Sequence, residues 1–132
     1  MLLMFAARGE YTISNQVRVL VVEDDSASRY TLNKVLELLG CKIVSVGTVG
    51  EAMRKLDGHT HVLLDLMFPD GTGVEILKHI RMYHPGVKVA LITAAGRGSK
   101  ILSDAMVHSP DLVLHKPLEL GDLIRWLNET AG

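Results

Sequence analysis

Short apolar runs alternate along the chain with longer segments in which apolar residues recur every three or four positions. The runs are typical of buried β-strands, and the longer segments are typical of amphipathic helices. The predicted strands span residues 17–22, 41–46, 62–65, 87–93 and 112–115. The predicted helices span about residues 26–39, 48–58, 74–83, 99–107 and 118–130. Five strands and five helices therefore alternate, without a repeat or a linker.

The uninterrupted apolar character of the strands predicts how the elements pack. A strand that is apolar on both faces is buried on both, as in a parallel sheet covered by helices on each side. The sequence therefore predicts an α/β fold, a doubly wound five-stranded parallel sheet with helices on both faces. We expect the domain to span residues 16–130, with 1–15 as an N-terminal extension or the remnant of a truncation.

Composition and charge narrow the classes of function. The 132 residues suffice for one core, and 14 Lys and Arg against 15 Asp and Glu give a net charge of −1. We therefore expect no nucleic-acid binding by this chain alone. The apolar opening, residues 1–7, is too short to span a membrane, and no membrane association is expected. The single cysteine, Cys41, predicts a core thiol rather than an internal disulfide, which is compatible with a cytoplasmic protein.

Candidate chemistry lies where the predicted strands end. Glu23 and Asp24 follow the first strand, Asp65 ends the third, Thr93 ends the fourth, and Lys116 follows the fifth. In such sheets, ligands bind outside the carboxyl ends of the strands, near the point where the strand order reverses. Three carboxylates at one edge repel one another unless a cation neutralises them, and Mg²⁺ prefers such hard oxygen ligands. The alternative is that Glu23 and Asp24 only cap the following helix.

The same set of residues suggests chemistry on phosphorus. A carboxylate at the position of Asp65 could attack a phosphorus atom and form an acyl phosphate. Mg²⁺, the Lys116 ammonium and the Thr93 hydroxyl would then stabilise the phosphoryl oxygens. Two simpler interpretations stay open: Lys116 pairs with Asp65 as a salt bridge, and Thr93 bonds only locally at a strand end.

Four segments taken together resemble the response-regulator receiver family of two-component systems, which is the CheY-like superfamily. They are residues 19–25, 63–73, 91–94 and 115–117, and the resemblance extends over about residues 17–128. It implies a flavodoxin-like sheet with strand order 2-1-3-4-5 and a phosphorelay function. The donor would be a phosphohistidine of a sensor histidine kinase or a histidine phosphotransfer domain, and Asp65 would be the phosphoacceptor in a Mg²⁺-dependent reaction.

The resemblance also implies individual roles. Asp24 would bind Mg²⁺ directly, Glu23 would bind it through water, and Met67 would offer its backbone carbonyl. Thr93 would be the residue whose hydroxyl moves toward the phosphoryl group. Lys116 would be the ion-pair partner at the phosphorylation site. Such a domain is a switch rather than an enzyme, although it promotes its own phosphorylation and slow dephosphorylation. A dimer that forms on phosphorylation is compatible with the resemblance, as is either a stand-alone domain or part of a larger regulator.

One position departs from the family pattern. Many receivers have Tyr or Phe three residues before the lysine, where rotation of the ring relays movement of the hydroxyl. Here that residue is Val113, which has no ring and only one stiff torsion. Phosphotransfer is expected to survive this change, whereas the relay to an output surface is not assured. Pro117 commonly forms a cis peptide with the lysine before it in this family, and proline lowers the cost of a cis bond.

The same residues also bear on alternative functions. A phosphatase that uses an aspartyl phosphate usually needs a second acid two residues after the nucleophile, and Met67 stands there. A binding module with a vestigial acidic site is supported only by Val113. A phosphate-binding loop at residues 96–100 fails on spacing. The six histidines form no metal-binding pattern, and most are predicted to be solvated.

Overall fold

The computed structural model describes residues 12–131, and its elements alternate as the sequence predicts. The strands are β1 Arg18–Val22, β2 Lys42–Val46, β3 His61–Leu64, β4 Met67–Phe68, β5 Gly71–Thr72, β6 Lys88–Thr93 and β7 Leu112–His115. The helices are α1 Ser26–Leu38, α2 Val49–Lys55, α3 Gly73–Tyr83, α4 Lys100–Met106 and α5 Leu120–Thr130. Within residues 12–131, none of these helices is long and apolar enough to cross a membrane.

The main sheet confirms the predicted architecture. Its five strands are parallel and lie in the order β2-β1-β3-β6-β7, which is 2-1-3-4-5 when only the main-sheet strands are counted. The two short strands β4 and β5 form a separate antiparallel hairpin directly after β3. The sequence predicted no strand there, because two residues per strand are too few to show a period.

Each face of the sheet carries its own core. Successive strand residues point to opposite faces, so Val19 and Val21 belong to one cluster and Leu20 and Val22 to the other. The first cluster is covered by α1 and α5, and the second by α2, α3 and α4. The apolar stripe of α5 packs into the first cluster, with Leu123, Ile124 and Leu127 all buried. Burial of both faces explains the uninterrupted apolar strands.

The ends of α1 follow from local chemistry. Asp25 caps its start by accepting a hydrogen bond from the Ser28 N–H at 2.8 Å. At the other end, the Cys41 N–H donates to the Leu36 carbonyl at 3.1 Å, and Gly40 adopts a φ of 85°. These are features of a Schellman motif, in which glycine takes the left-handed conformation that other residues resist. The helix therefore ends close to residue 39, as the sequence predicted.

The core includes Ile13, which lies just before the predicted domain boundary, and Cys41, the predicted core thiol. Ile13 is 2% exposed, and its N–H donates to the Leu39 carbonyl at 2.6 Å. This residue belongs to the predicted extension 1–15, of which residues 1–11 lie outside the described residues; the boundary at residue 16 stays a prediction. Cys41 is buried as predicted, and desolvation raises the pKa of its thiol to about 11. The thiol is therefore a protonated packing group.

The sequence predicts that most of the six histidines are solvated, but five of them are half-buried and the sixth, His61, is 2% exposed. Its ring stands at 84° to that of Trp126, with the two ring centroids 5.3 Å apart. Its Nδ1 lies 2.7 Å from the Thr60 hydroxyl, and its Nε2 lies 2.8 Å from the Thr130 hydroxyl. Two hydroxyl partners and an aromatic neighbour make a polar ring acceptable in the core, which a single-residue pattern cannot show.

We expect His61 to make folding stability depend on pH. Burial lowers the pKa of His61 below its usual 6.5, and the nearby charge of Lys88 lowers it further, against an opposing effect of Asp111. The unfolded chain therefore binds the proton more readily than the native chain, and stability falls as pH falls below about 6.5. Urea unfolding at pH 5.5 and pH 7.5 measures this loss.

Two variants separate the ring from its hydrogen bonds in this measurement. His61→Gln is expected to reduce the difference in stability between the two pH values, because the titrating group is gone. Thr130→Val should lower stability at both pH values but retain the difference, since burial of the ring remains the main cause. An unchanged difference in His61→Gln would contradict the assignment.

Candidate phosphoacceptor site

The sheet brings the predicted site residues to one edge through backbone bonds that continue past the strands. The Asp65 N–H donates to the Val22 carbonyl at 3.0 Å, which places Asp65 beside Glu23. The Lys116 N–H donates to the Thr93 carbonyl at 2.9 Å and aligns these two residues in the same way. This edge is formed by the carboxyl ends of β1, β3, β6 and β7. The strand order reverses on the two sides of β1, where such folds bind ligands.

The three predicted carboxylates form one cluster. Glu23, Asp24 and Asp65 each offer an oxygen, and these oxygens all lie within 4.8 Å of one another. Glu23 is 2% and Asp65 is 8% exposed, whereas Asp24 is exposed. Two buried carboxylates beside an exposed one form an open, all-oxygen donor set. This is the chemistry that Mg²⁺ prefers, with the remaining positions left to water and substrate.

Lys116 lies between the two buried acids. Its Nζ is 2.9 Å from Oε2 of Glu23 and 2.8 Å from Oδ2 of Asp65. The ammonium therefore neutralises part of the cluster charge, as the salt-bridge interpretation of the sequence expected for the unmodified protein. Three carboxylates against this one ammonium leave the cluster with an excess of negative charge, which a divalent cation would balance.

Burial and charge shift the ionisation of both partners. Desolvation by burial raises the pKa of Glu23 above its ordinary value, and the nearby Asp65 charge adds to the rise despite the hydrogen bond from Lys116. Burial of the Lys116 ammonium alone would lower its pKa, but its bonds to Asp65 and Glu23 outweigh this effect, and its pKa is raised. Lys116 therefore stays charged at neutral pH.

The orientation of Asp65 is fixed on two sides. Its Oδ1 accepts a hydrogen bond from the Leu66 N–H at 2.6 Å, and its Oδ2 faces Lys116. The backbone is also confined, because Gly73 lies directly against it: a Cβ on Gly73 would overlap the Asp65 carbonyl oxygen and lie 3.1 Å from the Leu66 Cα. The chain can therefore return past Asp65 only if residue 73 has no side chain.

The hairpin after Asp65 leaves the Met67 carbonyl outside its own hydrogen-bond ladder. Phe68 and Gly71 flank the two-residue loop, and the Gly73 N–H donates to the Leu66 carbonyl at 2.9 Å. Hydrogen-bonded and non-bonded pairs alternate in an antiparallel ladder, so the intervening pair of Met67 and Thr72 is non-bonded. The Met67 carbonyl is thus available to a ligand, while its side chain is exposed to solvent.

Thr93 lies at the end of β6 and is buried, in register with His115, the residue before Lys116. Its Oγ1 accepts a hydrogen bond from the Ala95 N–H at 3.0 Å. Among the described residues, no hydrogen bond joins Thr93 to Asp65. The local bond that the sequence left as an alternative is therefore present in this state of the protein. The Lys116–Pro117 peptide is cis, as the resemblance implied.

The region around Val113 contains space. Val113 is partly buried and packs against the core cluster covered by α2, α3 and α4. It lines an open surface depression of about 420 Å³ beside β7 and α4, together with Arg97, Leu102, Ser103, Met106 and His115. Val113 therefore borders open surface volume next to β7, the strand that precedes Lys116.

Sequence reasoning missed two residues that support the site. Nη1 of Arg29 lies 2.6 Å from the Glu23 carbonyl oxygen and 3.3 Å from that of Asp24, and it holds the backbone of the acidic pair. Asp70 lies within the segment 63–73 of the family resemblance but is given no role of its own there, yet both of its oxygens accept hydrogen bonds from α2. The capping alternative for Glu23 and Asp24 is not borne out, because Asp25 is the cap.

The fold and this edge together define a doubly wound α/β domain with an acidic cluster and a lysine at its ligand-binding edge. Comparison with known proteins identifies the class: the profile of the response regulator receiver domain matches residues 19–128. The chain therefore belongs to the receiver-domain family of two-component response regulators, as the sequence predicted.

Individual relatives agree with this assignment. The KDP operon transcriptional regulatory protein KdpE of Escherichia coli is 33% identical over 110 residues, covering 80% of this chain and 47% of KdpE. The photosynthetic apparatus regulatory protein RegA of Rhodovulum sulfidophilum is 27% identical over 119 residues, covering 89% of this chain and 64% of RegA. A match to the response regulator ARR11 of Arabidopsis thaliana covers only 21% of that protein. The chain thus spans less than two thirds of these relatives.

Solved structures agree as well. A CheY-like receiver domain from Methanospirillum hungatei superimposes with a TM-score of 0.79 at 26% identity, over 86% of this chain and 91% of that one. The non-phosphorylated HemR receiver domain of Leptospira biflexa gives a TM-score of 0.77 at 24% identity, over 88% and 94% of the two chains. The second likeness supports the fold alone.

Proposed function

We propose that this receiver domain accepts a phosphoryl group on Asp65 from a phosphohistidine of a sensor histidine kinase or a histidine phosphotransfer domain. The observation that carries the proposal is the position of the Lys116 ammonium, which bridges Asp65 and Glu23 next to Asp24. A carboxylate nucleophile, further hard oxygens and a fixed cation thus occupy one open edge, as phosphoryl transfer to an acid requires.

The donor set of the site fits Mg²⁺. Asp24, Asp65 and the Met67 carbonyl would hold the ion directly, and Glu23 would hold it through water. When bound, Mg²⁺ would neutralise charge on the phosphoryl oxygens and on the carboxylates that approach them. The excess negative charge of the cluster supports this assignment, and the absence of histidine or cysteine from the cluster favours Mg²⁺ over zinc.

The proposed step exchanges one bond for another. A carboxylate oxygen of Asp65 attacks the phosphorus, the O–P bond forms, and the N–P bond of the phosphohistidine breaks with its electron pair returning to the imidazole. Lys116 is already within hydrogen-bond distance of Asp65. After the transfer, its ammonium would donate hydrogen bonds to the new phosphoryl oxygens. The bond from Leu66 keeps the carboxylate oriented for this attack.

The added charge would act as a switch. Thr93 would exchange its local bond with Ala95 for one to a phosphoryl oxygen and draw the following loop inward, which shifts an equilibrium between two surface conformations. The depression beside Val113 is also lined by Arg97, a residue of the loop that would move. We propose that the domain works in the cytoplasm as a switch rather than as a turnover enzyme, and that phosphorylation promotes a dimer.

Intact mass spectrometry tests the proposal. The protein is incubated with Mg²⁺ and acetyl phosphate, and the expected result is one added phosphoryl group per chain. Asp65→Asn should gain none, and omission of Mg²⁺ should prevent the gain in the wild type. Asp104→Asn removes an exposed carboxylate on α4 and serves as the matched control, which should be modified like the wild type. A wild type that gains no phosphoryl group, or an Asp65→Asn that gains it equally, would overturn the proposal.

A further inference from the structure

The tip of the β4–β5 hairpin is attached to a different part of the fold by one side chain. Asp70 is the second residue of the two-residue loop, and its Oδ1 accepts a hydrogen bond from the Val49 N–H at 3.0 Å. Its Oδ2 accepts a second bond from the Gly50 N–H at 3.1 Å. One carboxylate therefore spans the first two N–H groups of α2, which have no partner within their own helix.

We infer that Asp70 is a positioning residue of the metal site, which holds the Met67 carbonyl in place by tying the β4–β5 hairpin to the start of α2. This inference rests on the proposed Mg²⁺ site. Asp70 itself contacts neither the cluster nor the reacting atoms, and it acts only through the hairpin backbone.

The hairpin needs an external attachment because it is very short. Each of its strands has two residues, and an isolated two-stranded hairpin is at best marginally stable in water. Its base is held by the bond from the Gly73 N–H to the Leu66 carbonyl and by the contact of Gly73 with Asp65. Its tip is held by Asp70. Met67 lies between the two attachments, so both determine where its carbonyl points.

Helix α2, to which Asp70 is bonded, is itself held in place by packing against the core. Val49, Ala52 and Leu56 lie on one side of the helix. All three are buried in the core cluster that is covered by α2, α3 and α4. The third N–H of the helix, that of Glu51, is satisfied separately by the Thr48 hydroxyl at 3.1 Å. Thr48 thus caps the same helix, and its side-chain hydrogen bonds go to Glu51 rather than to the hairpin. The two caps have comparable roles for α2 and different roles for the metal site.

The negative charge of Asp70 strengthens its hydrogen bonds to the start of α2. The hydrogen bonds from the Val49 and Gly50 N–H groups lower the pKa of Asp70 below its ordinary value. The carboxylate is therefore ionised throughout the neutral range, and it also meets the positive end of the helix dipole. Bonds from a charged acceptor are stronger than neutral ones, which suits a side chain that must anchor a loop.

The test is a Mg²⁺ titration of the full chain followed by amide NMR shifts, for the wild type, Asp70→Ala, Asp70→Asn and Thr48→Ala. Supporting groups around metal ligands typically change affinity by an order of magnitude or more, so the Kd for Mg²⁺ in Asp70→Ala should rise on the order of tenfold. Asp70→Asn keeps one acceptor oxygen and should show a smaller rise. Thr48→Ala, which also removes a cap of α2, should keep the wild-type Kd.

Hydrogen exchange without metal gives a second readout. Asp70→Ala should accelerate amide exchange at Gly71 and Gly73 in the hairpin, whereas Thr48→Ala should not. A wild-type Mg²⁺ affinity in Asp70→Ala, or an equal loss in Thr48→Ala, would overturn the inference and leave the proposed function standing. A wild type that binds no Mg²⁺ would instead overturn the proposed metal site itself. If Asp70→Ala does not fold, the same comparison is made with Asp70→Asn.

Discussion

Lys116→Met is expected to destabilise the metal-free protein by about 2 kcal/mol and to remove most of its phosphorylation by acetyl phosphate. Breaking a fully buried ion pair costs roughly 3–5 kcal/mol because a charge is left without a partner. The lower figure follows from the 28% exposure of the Lys116 side chain, which allows water to replace part of the lost interaction. Phosphorylation falls because the donor facing Asp65 is lost.

The same variant should respond more strongly to Mg²⁺ than the wild type. Without the ammonium, the carboxylates of Glu23 and Asp65 no longer have a competing partner, and the cluster carries one more unit of negative charge. Mg²⁺ should therefore bind more tightly and restore part of the lost stability. Urea unfolding with and without Mg²⁺ measures stability, and intact mass over time measures phosphorylation. Tighter Mg²⁺ binding with slower phosphorylation separates the role of Lys116 in transfer from a general loss of the site.

Lys100→Met is the matched control for this experiment. Lys100 also pairs with a carboxylate at 2.9 Å, that of Asp104, but its side chain is 87% exposed. Exposed pairs contribute about 0–1 kcal/mol, so this variant should be close to the wild type in stability and in phosphorylation. Equal behaviour of the two lysine variants would show that the position of Lys116 at the sheet edge has no special role.

Gly73→Ala is expected to destabilise the protein by about 3 kcal/mol or to prevent folding. A Cβ at this position would overlap the Asp65 carbonyl oxygen, and the neighbours on that side are backbone atoms that cannot move without shifting β3 or the hairpin. Forced contacts in a packed interior typically cost about 1–3 kcal/mol, and backbone overlap lies at the upper end. Thermal unfolding measures the loss, and any folded fraction should also accept phosphate poorly.

Gly86→Ala is the matched control for the glycine substitution. Apart from its two chain neighbours, no residue in the described part of the chain has an atom within 4 Å of a Cβ at this position, and its φ lies outside the left-handed region. Alanine there should be neutral or slightly stabilising, since it restricts the unfolded chain more than glycine does. A Gly73→Ala protein as stable as Gly86→Ala would show that the hairpin can relax, and that the close approach to Asp65 is not required.

Much of the fold could be predicted because it depends on local patterns. Runs such as Val19–Val22 are apolar at every position since both faces of the sheet are covered, and this feature is visible in the sequence. Helix ends were also predictable where short-range bonds set them, as at Asp25 and Gly40. The hairpin at residues 67–72 was not, because two-residue strands have no period and their partner is another part of the same loop.

The sequence by itself determined the alternation of strands and helices, the burial of the strands and the identity of the polar residues at their carboxyl ends. Each of these depends on neighbours along the chain. Only the tertiary structure decided that Lys116 bridges Glu23 and Asp65, that His61 lies in the core with Thr130, and that Gly73 closes against Asp65. These contacts join residues from separate elements, and their geometry is set by sheet register and helix packing rather than by local preference.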